Sequence, residues 1–559
     1  MTDSWNLASA WEVIADTVGD STALIHQDGS GNVELSWQEF DRRSACLASV
    51  MADAGIGRDS KVAHYMFNSH RYIETTFASH KLRAIPVNVN YRYTAAELLY
   101  LLNNSDAECI VVDDAFVDGL CALVPELRKL KLIVVVGMSA PRSCAVAMVD
   151  YETALAQAQP CPRISRDLDD LWFLYTGGTT GMPKGVMWPH RSLIGATAPT
   201  FKPYGLDAPT SLVEVAQFAR IIHDRNQPVR LLPAAPLMHG TSAITSWGVL
   251  CAAGSIVTLH NQHFSAIEVL RAIETHGVTN LTIVGDVFAK PLLAAIREEQ
   301  ANGTPPNLSS LELVISSGVM WSQPVKDALI EVADVVCADL LGSSEGTGFA
   351  RSVSSAGRGL RTASFRLGPH AAVFGEDGQR VLPGSGTRGL LAVGGPIPIG
   401  YYNDPIKTAE TFRTFEGKVW SIPGDFATVE SDGTITLLGR GSVSINTGGE
   451  KVYPEEVEEV LKLHPDVGDA NVVGIADERW GSRVVAVVEA SESRQPSDGE
   501  LHEHCRQHLA GYKIPKTYVW VDQLQRGPNG KADYRWAATV AGAAASLSDP
   551  DRPIEVPND

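Results

Sequence analysis

Along the first three quarters of the chain, short apolar runs alternate with longer stretches whose apolar residues recur at helical spacing. Cys109–Val112, Leu132–Val136, Leu171–Tyr175, Ile256–Leu259, Leu281–Val284 and Leu311–Ile315 read as buried strands, being short, apolar and bounded by polar or turn residues. Ala266–His276 and Pro324–Val332 read as helices between such strands. Strand and helix in alternation predict an α/β fold with largely parallel sheets. Neither an internal repeat nor a coiled-coil heptad is present.

The texture changes near Gly439–Ser442. Before it, Ser431–Leu438 reads as a hairpin arm approached through an Asp-Gly turn. After it comes a compact α+β pattern. Pro454 suits a first helical turn, and Glu455 and Glu456 suit the positive end of the dipole. Val457, Val460, Leu461 and His464 follow at helical spacing. Strands are expected at Ala470–Ile475, Val484–Glu489 and Thr517–Val521, with a helix at Asp498–Leu509. The expected organisation is therefore a large N-terminal domain of stacked α/β subdomains over 1–438, a hinge at 439–442 and a small mobile α+β domain over 443–541. Residues 542–559, rich in Ala, Ser, Pro and Asp, have little to bury and are expected to be a disordered tail.

A chain of 559 residues is too long for a single core, in keeping with that division. Its formal charge of −19 argues against nucleic acid and against an anionic membrane surface, both of which ask for a basic face. The eight cysteines are scattered, without the paired spacing of a zinc site. His502, His504 and Cys505 lie close together, but within a polar helical stretch that reads as a solvated face. The N-terminal residues do not resemble a secretion signal, and no run approaches the roughly 18 apolar residues of a membrane span. A cytoplasmic protein with reduced thiols is expected.

The candidate chemistry starts after the apolar run Leu171–Leu174, in Tyr175-Thr-Gly-Gly-Thr-Thr-Gly-Met-Pro-Lys-Gly185. Thr176, Gly177, Gly178, Thr179, Thr180 and Gly181 form a loop whose backbone can approach a polyphosphate and donate N–H bonds to it. The threonines add hydroxyls, and Lys184 adds a positive charge. A Walker loop places Ser or Thr after Gly-Lys, whereas Lys184 lies between Pro183 and Gly185, so this is another kind of phosphate loop.

This loop resembles that of the adenylate-forming (AMP-binding) superfamily, which includes acyl-CoA synthetases, luciferases and peptide-synthetase adenylation domains. The resemblance extends in order over nearly the whole chain. Pro236-Leu-Met-His-Gly240 is similar to the segment whose histidine, here His239, lies between acyl pocket and nucleotide. Gly318, Val319 and Met320 correspond to the backbone turn beside the adenine. Leu341-Gly-Ser-Ser-Glu-Gly346 resembles the family's Tyr-Gly-x-Thr-Glu segment. It places Leu341 where a tyrosine stacks on adenine, followed by Gly342, a hydroxyl for the α-phosphate on Ser344 and a magnesium carboxylate on Glu345. Thr176 is the other implied metal ligand. Asp425 and Arg440 correspond to residues that contact the ribose. Ser442 stands at the hinge, where Asp or Lys is usual. Gly448, Gly449 and Lys451 fall on the implied CoA path. Lys531, in Gly527-Pro-Asn-Gly-Lys531 after Tyr512-Lys-Ile-Pro515, corresponds to the adenylation lysine.

The resemblance implies a ligase that uses ATP and Mg²⁺ to make an acyl-adenylate and then passes the acyl group to CoA. Within the family a homodimer is the assembly to expect. Two other readings follow from the same residues. An adenylating enzyme could serve another acceptor, such as a carrier protein, and a luciferase-like oxygenase would share the same motifs. Gly342–Gly346 also satisfies G-x-S-x-G, which would make Ser344 a hydrolase nucleophile with Asp425 and His464 following. The implied acyl pocket draws on His239–Thr245, Val284–Phe288 and Gly318–Trp321. It shows no charged anchor for an amino acid or dicarboxylate, so an apolar acid is expected. Thr282–Asp286 and Gly530–Trp536 resemble the bacterial branch acting on fatty, sterol side-chain and arylalkanoic acids.

Overall fold

A computed structural model describes residues 5–28, 31–176, 182–225, 228–318, 321–356, 364–440, 445–447, 450–477, 481–491, 494–509, 511–526 and 532–547. The chain divides into two compact units: the first comprises 1–360, 368–371 and 393–422, and the second 361–367, 372–392 and 423–559.

The first unit is α/β. Its eight-stranded sheet runs Gly400–Tyr401, Lys184–Pro189, Leu171–Thr176, Ile85–Asn88, Lys61–Tyr65, Ala107–Asp113, Leu132–Val136 and Ala147–Asp150. From Leu171–Thr176 onward all neighbours are parallel. All five residues of Leu132–Val136 are buried, which is why this strand is a continuous apolar run rather than an alternating one.

A second series of paired strands runs Gly31–Ser36, Thr22–Asp28, Ser255–Leu259, Arg230–Pro233, Asn280–Ile283, Leu313–Ser317, Val336–Ser343 and Gly346–Ser354. The pairings from Thr22–Asp28 to Val336–Ser343 are parallel. Helix Ala266–His276 begins and ends as its residues predict. Ser265 accepts from the Glu268 N–H, and Gly277 takes the left-handed conformation (φ +60°) that stops it. Trp11, Phe40, Phe77 and Trp247 cluster in the largest core.

In the second unit, strands Ser364–Leu367, Thr434–Arg440, Asp425–Val429 and Arg388–Val393 pair in that order. A separate three-stranded sheet joins Val467–Asp477, Gly481–Ala490 and Thr517–Val521. It packs with helix Pro454–Lys462 through Val457, Leu461, Val472 and Ala486.

Three expectations need correction. The strand placed at Leu311–Ile315 is Leu313–Ser317, because the Leu311 N–H closes a turn onto the Leu308 carbonyl. The face containing His502, His504 and Cys505 is not simply solvated. Cys505 is fully buried with Leu501, and His504 Nε2 lies 2.8 Å from the Val460 carbonyl oxygen. Finally, helix Tyr534–Leu547 runs through Gly542, where a disordered tail was expected. Its small Ala537 and Ala541 are buried against Val485 and Val487, so alanine serves here as a close-packing surface. Residues 548–559 of that expected tail lie outside the described residues.

Candidate active site

Parallel strands deliver their carboxyl ends to one edge, which is where open α/β sheets bind ligands. In the first unit this brings together the segments after Arg230–Pro233, Asn280–Ile283, Leu313–Ser317 and Val336–Ser343. Three of these are the expected acyl-pocket segments and the fourth holds Leu341–Gly346. Contacts confirm the convergence. The Ala234 N–H donates to the Thr282 carbonyl (3.0 Å), Thr245 Oγ1 lies 3.2 Å from Thr282 Oγ1, and the Gly285 N–H donates to Ser316 Oγ (2.8 Å). Gly318 has φ +91°, a conformation glycine takes without strain.

His239 is half-buried and precedes helix Gly240–Cys251; it makes no side-chain cap to that helix. Asp286 stands within one acyl-pocket segment, yet its carboxylate is engaged. It accepts from the Ser322 N–H at 3.0 Å and from the Ser322 hydroxyl at 2.8 Å, with Lys290 Nζ at 3.8 Å. It therefore clamps the turn after Leu313–Ser317 to the helix Gly285–Ala301 rather than presenting a free charge.

Thr176 and Lys184 are register partners on antiparallel strands Leu171–Thr176 and Lys184–Pro189, which flank the expected phosphate loop. Gly177, Gly178, Thr179, Thr180 and Gly181 themselves lie outside the described residues, as do Val319, Met320, Ser442, Gly448, Gly449 and Lys531. Gly185 is required, since a Cβ there would sit 2.6 Å from the Tyr175 ring. Lys184 Nζ is 3.4 Å from Asp404 Oδ2, with both side chains about a third exposed (37% and 33%). Such a pair is worth about 0–1 kcal/mol, weak enough for the lysine to turn to a phosphate.

Leu341 pairs with Ala350, and Ser344 and Glu345 form the turn between Val336–Ser343 and Gly346–Ser354. Strand–turn–strand is the wrong architecture for a nucleophile elbow, which needs a strand followed by a helix. The hydrolase reading of Ser344 is thereby corrected. Trp188 Nε1 donates to the Ser344 carbonyl (3.0 Å), and the Ser421 hydroxyl donates to the Glu345 carbonyl (2.6 Å). The Tyr401 hydroxyl donates to Glu345 Oε1 at 2.8 Å. In the second unit, Asp425 and Arg440 are register partners on adjacent antiparallel strands, so the two expected ribose residues sit side by side. Lys451 lies in strand Glu450–Val452, opposite Asn446.

Sequence reasoning missed several of these groups. Asn88, 4% exposed at the end of Ile85–Asn88, accepts from the Tyr175 N–H (2.6 Å) and donates to the carbonyls of Tyr175 (2.9 Å) and Met238 (2.7 Å). It thus ties Tyr175, at the root of the expected phosphate loop, to the residue before His239. An amide inside the apolar run Ile85–Val89 was the available signal. Tyr401, Asp404 and Ser421 carried none, because their role depends on what lies across the fold. Replacing Asn88 with alanine should cost about 1–3 kcal/mol in unfolding experiments, since buried backbone groups lose their partners. The KM for ATP should rise several-fold. An unchanged KM would show that the clamp does not reach the loop.

Residues 11–402 match the model of the AMP-binding enzyme family, and residues 456–531 match that family's C-terminal domain. The chain belongs to the AMP-binding enzyme family. This AMP-binding enzyme is 40% identical, over 96% of each chain, to a medium/long-chain-fatty-acid--CoA/3-oxocholest-4-en-26-oate--CoA ligase of Mycolicibacterium smegmatis. It is 39% identical, again over 96% of both chains, to a 3-oxocholest-4-en-26-oate--CoA ligase of Rhodococcus rhodochrous. Its fold matches an anthranilate CoA ligase in complex with anthranoyl-AMP (TM-score 0.80, 21% identity, 98% and 99% of the two chains covered). It also matches ATP-bound MatB from Rhodopseudomonas palustris (TM-score 0.78, 23% identity, 97% and 100% covered). The enzyme is an AMP-forming acid–thiol ligase with ATP and CoA as its co-substrates. Among the described residues no helix is long and apolar enough to cross a membrane.

Proposed function

We propose that this enzyme activates a medium- to long-chain fatty acid, or the carboxylated side chain of a sterol or an arylalkanoic acid, and transfers it to CoA. The observation that carries the substrate class is Asp286. It is the one acid in the expected pocket segments, and both its oxygens are taken by Ser322. With no lysine or arginine in those segments and their one acid held by Ser322, the pocket suits an apolar acid, in line with the names of the relatives.

Forming an acyl-adenylate solves two problems: carboxylate is a poor nucleophile towards a polyanion, and hydroxide is a poor leaving group. Catalysis is then mainly positioning and charge stabilisation around the α-phosphorus. In our reading the loop Thr176–Lys184 holds the departing pyrophosphate, and Ser344 bonds the α-phosphate. His239 separates the acyl and nucleotide sides, and Gly318–Met320 with Leu341 and Gly342 border the adenine. Asp425 and Arg440 take the ribose hydroxyls. Lys531 meets the carboxylate and the α-phosphate. The domain 443–541 then turns about 439–442, withdrawing Lys531 and bringing Gly448, Gly449 and Lys451 beside the path of the CoA thiol.

Mg²⁺ fits the donors present. Among the described residues no cluster of three or more His, Cys, Asp or Glu could cage a metal ion. A single carboxylate, Glu345, with the Thr176 hydroxyl suits a cation held largely by phosphates and water. When bound, Mg²⁺ would neutralise charge on the leaving pyrophosphate. We place the reaction in the cytoplasm, in lipid metabolism, in line with the scattered, unpaired spacing of the eight cysteines.

The test is pyrophosphate release with ATP, Mg²⁺ and a panel of apolar carboxylic acids, with and without CoA. Release should require an acid and an acyl-CoA should form when CoA is present. ATP left untouched by every acid in the panel would refute the proposed substrate class.

A further inference from the structure

The turn bearing Glu345 is braced by Trp188 and Ser421, but both bond only its backbone. A glutamate side chain keeps several rotatable bonds, and ordering it costs free energy. Among the described residues the group bonded to this carboxylate is Tyr401, whose hydroxyl occupies Oε1 at 2.8 Å. Tyr401 is itself immobilised. It is 6% exposed, pairs with Val186 on the strand that starts at Lys184, and donates its N–H to Thr408 Oγ1 at 2.9 Å. Its ring centroid lies 5.8 Å from Lys184 Nζ. One aromatic side chain therefore touches both the loop's lysine and the carboxylate.

We propose that Tyr401 is a positioning residue for adenylation: its hydroxyl fixes the rotation of the Glu345 carboxylate, leaving Oε2 for the cation that accompanies ATP. The inference rests on the assignment of Glu345 to that cation. Tyr401 also sets the spacing between the cation's carboxylate and Lys184, because its ring packs beside the lysine while its hydroxyl holds the acid. A hydrogen bond to a charged group is strong enough that losing it should weaken cation binding roughly tenfold.

The experiment uses the full chain, Mn²⁺ as the probe and a non-hydrolysable ATP analogue, with free Mn²⁺ read by electron paramagnetic resonance. Tyr401→Phe, Glu345→Gln and Tyr402→Phe are compared with wild type. Tyr402 is the control because its hydroxyl bonds Asp106 rather than Glu345. The expected result is binding about tenfold weaker in Tyr401→Phe, at least as weak in Glu345→Gln and unchanged in Tyr402→Phe. Kinetics should show a lower kcat for pyrophosphate release in Tyr401→Phe with the KM for the acid unchanged. If Glu345→Gln weakens Mn²⁺ binding and Tyr401→Phe does not, the positioning role is overturned and the Glu345 assignment stands. If neither does, the assignment itself fails. Equal weakening in Tyr401→Phe and Tyr402→Phe would mean a general loosening of this strand, which also overturns the proposal.

Discussion

Replacing Lys531 with alanine is expected to slow acid-dependent pyrophosphate release by about 100- to 1,000-fold, the usual loss when a group stabilising transition-state charge is removed. The proposed role explains both the size and the selectivity of the effect. As the carboxylate attacks, negative charge collects on the α-phosphate, and a fixed ammonium there offsets it without reorganisation. Thioester formation makes no such demand, because the acyl-adenylate is already made and the thiol attacks a carbonyl. The variant should therefore convert a supplied acyl-adenylate and CoA to acyl-CoA at nearly the wild-type rate. Single-turnover assays of the two half-reactions separate the outcomes. Equal loss in both would assign Lys531 to general integrity of the site instead.

The second large effect is on stability. Glu12, Lys81 and Arg166 form a buried charge cluster, their side chains only 5%, 2% and 1% exposed. Glu12 Oε1 accepts from Lys81 at 2.9 Å and Oε2 accepts from Arg166 at 2.7 Å. Glu12→Ala strips both buried cations of the carboxylate they share, although Lys81 keeps Asp41, and breaking such a buried pair costs about 3–5 kcal/mol. Whole domains hold only about 5–15 kcal/mol, so much of the stability of the first unit would be gone. The effect should depend on pH in a defined direction. Burial alone would raise the Glu12 pKa, but Lys81 and Arg166 outweigh it and hold the value below 4.5. A carboxyl with a lowered folded-state pKa stabilises above its unfolded value and loses that contribution as pH falls through the folded one. The gap between wild type and Glu12→Ala should thus be full at pH 7 and shrink in acid below 4.5. Denaturant titrations across that range check it. A gap that is small or independent of pH would mean the two cations find other partners.

Much of the fold could be read from local patterning. Ala266–His276 and Thr517–Val521 have the expected limits, as does Leu132–Val136, because capping residues and flanking polar positions mark their ends. Leu311 misled because apolar character tells that a residue can be buried and not that its backbone closes a turn, as the Leu311 N–H does on the Leu308 carbonyl. The stretch from Gly542 misled because the helix that runs through it is anchored by Ala537 and Ala541 against Val485 and Val487, elsewhere in the chain. The site shows the same division. Lys184 stood out because a lysine at the end of a Gly/Thr-rich loop is chemically conspicuous, and Glu345 because its segment resembles a family motif. Asn88, Tyr401 and Ser421 did not, since an amide, a phenol and a hydroxyl act here only through what they touch.

By itself, then, the sequence determined the α/β class, which is written in short-range pattern and spacing, and the order of its motifs carried the resemblance that implied the family. Only the tertiary structure decided that Tyr401 would hold Glu345, that Asp286 would be spent on Ser322, and that Ser344 would sit in a strand-to-strand turn rather than at a nucleophile elbow. The physical reason is the range of the interactions. Capping, periodicity and turn chemistry act within a few residues, while parallel pairing brings together side chains tens of residues apart, and which of them meet is set by strand order and register.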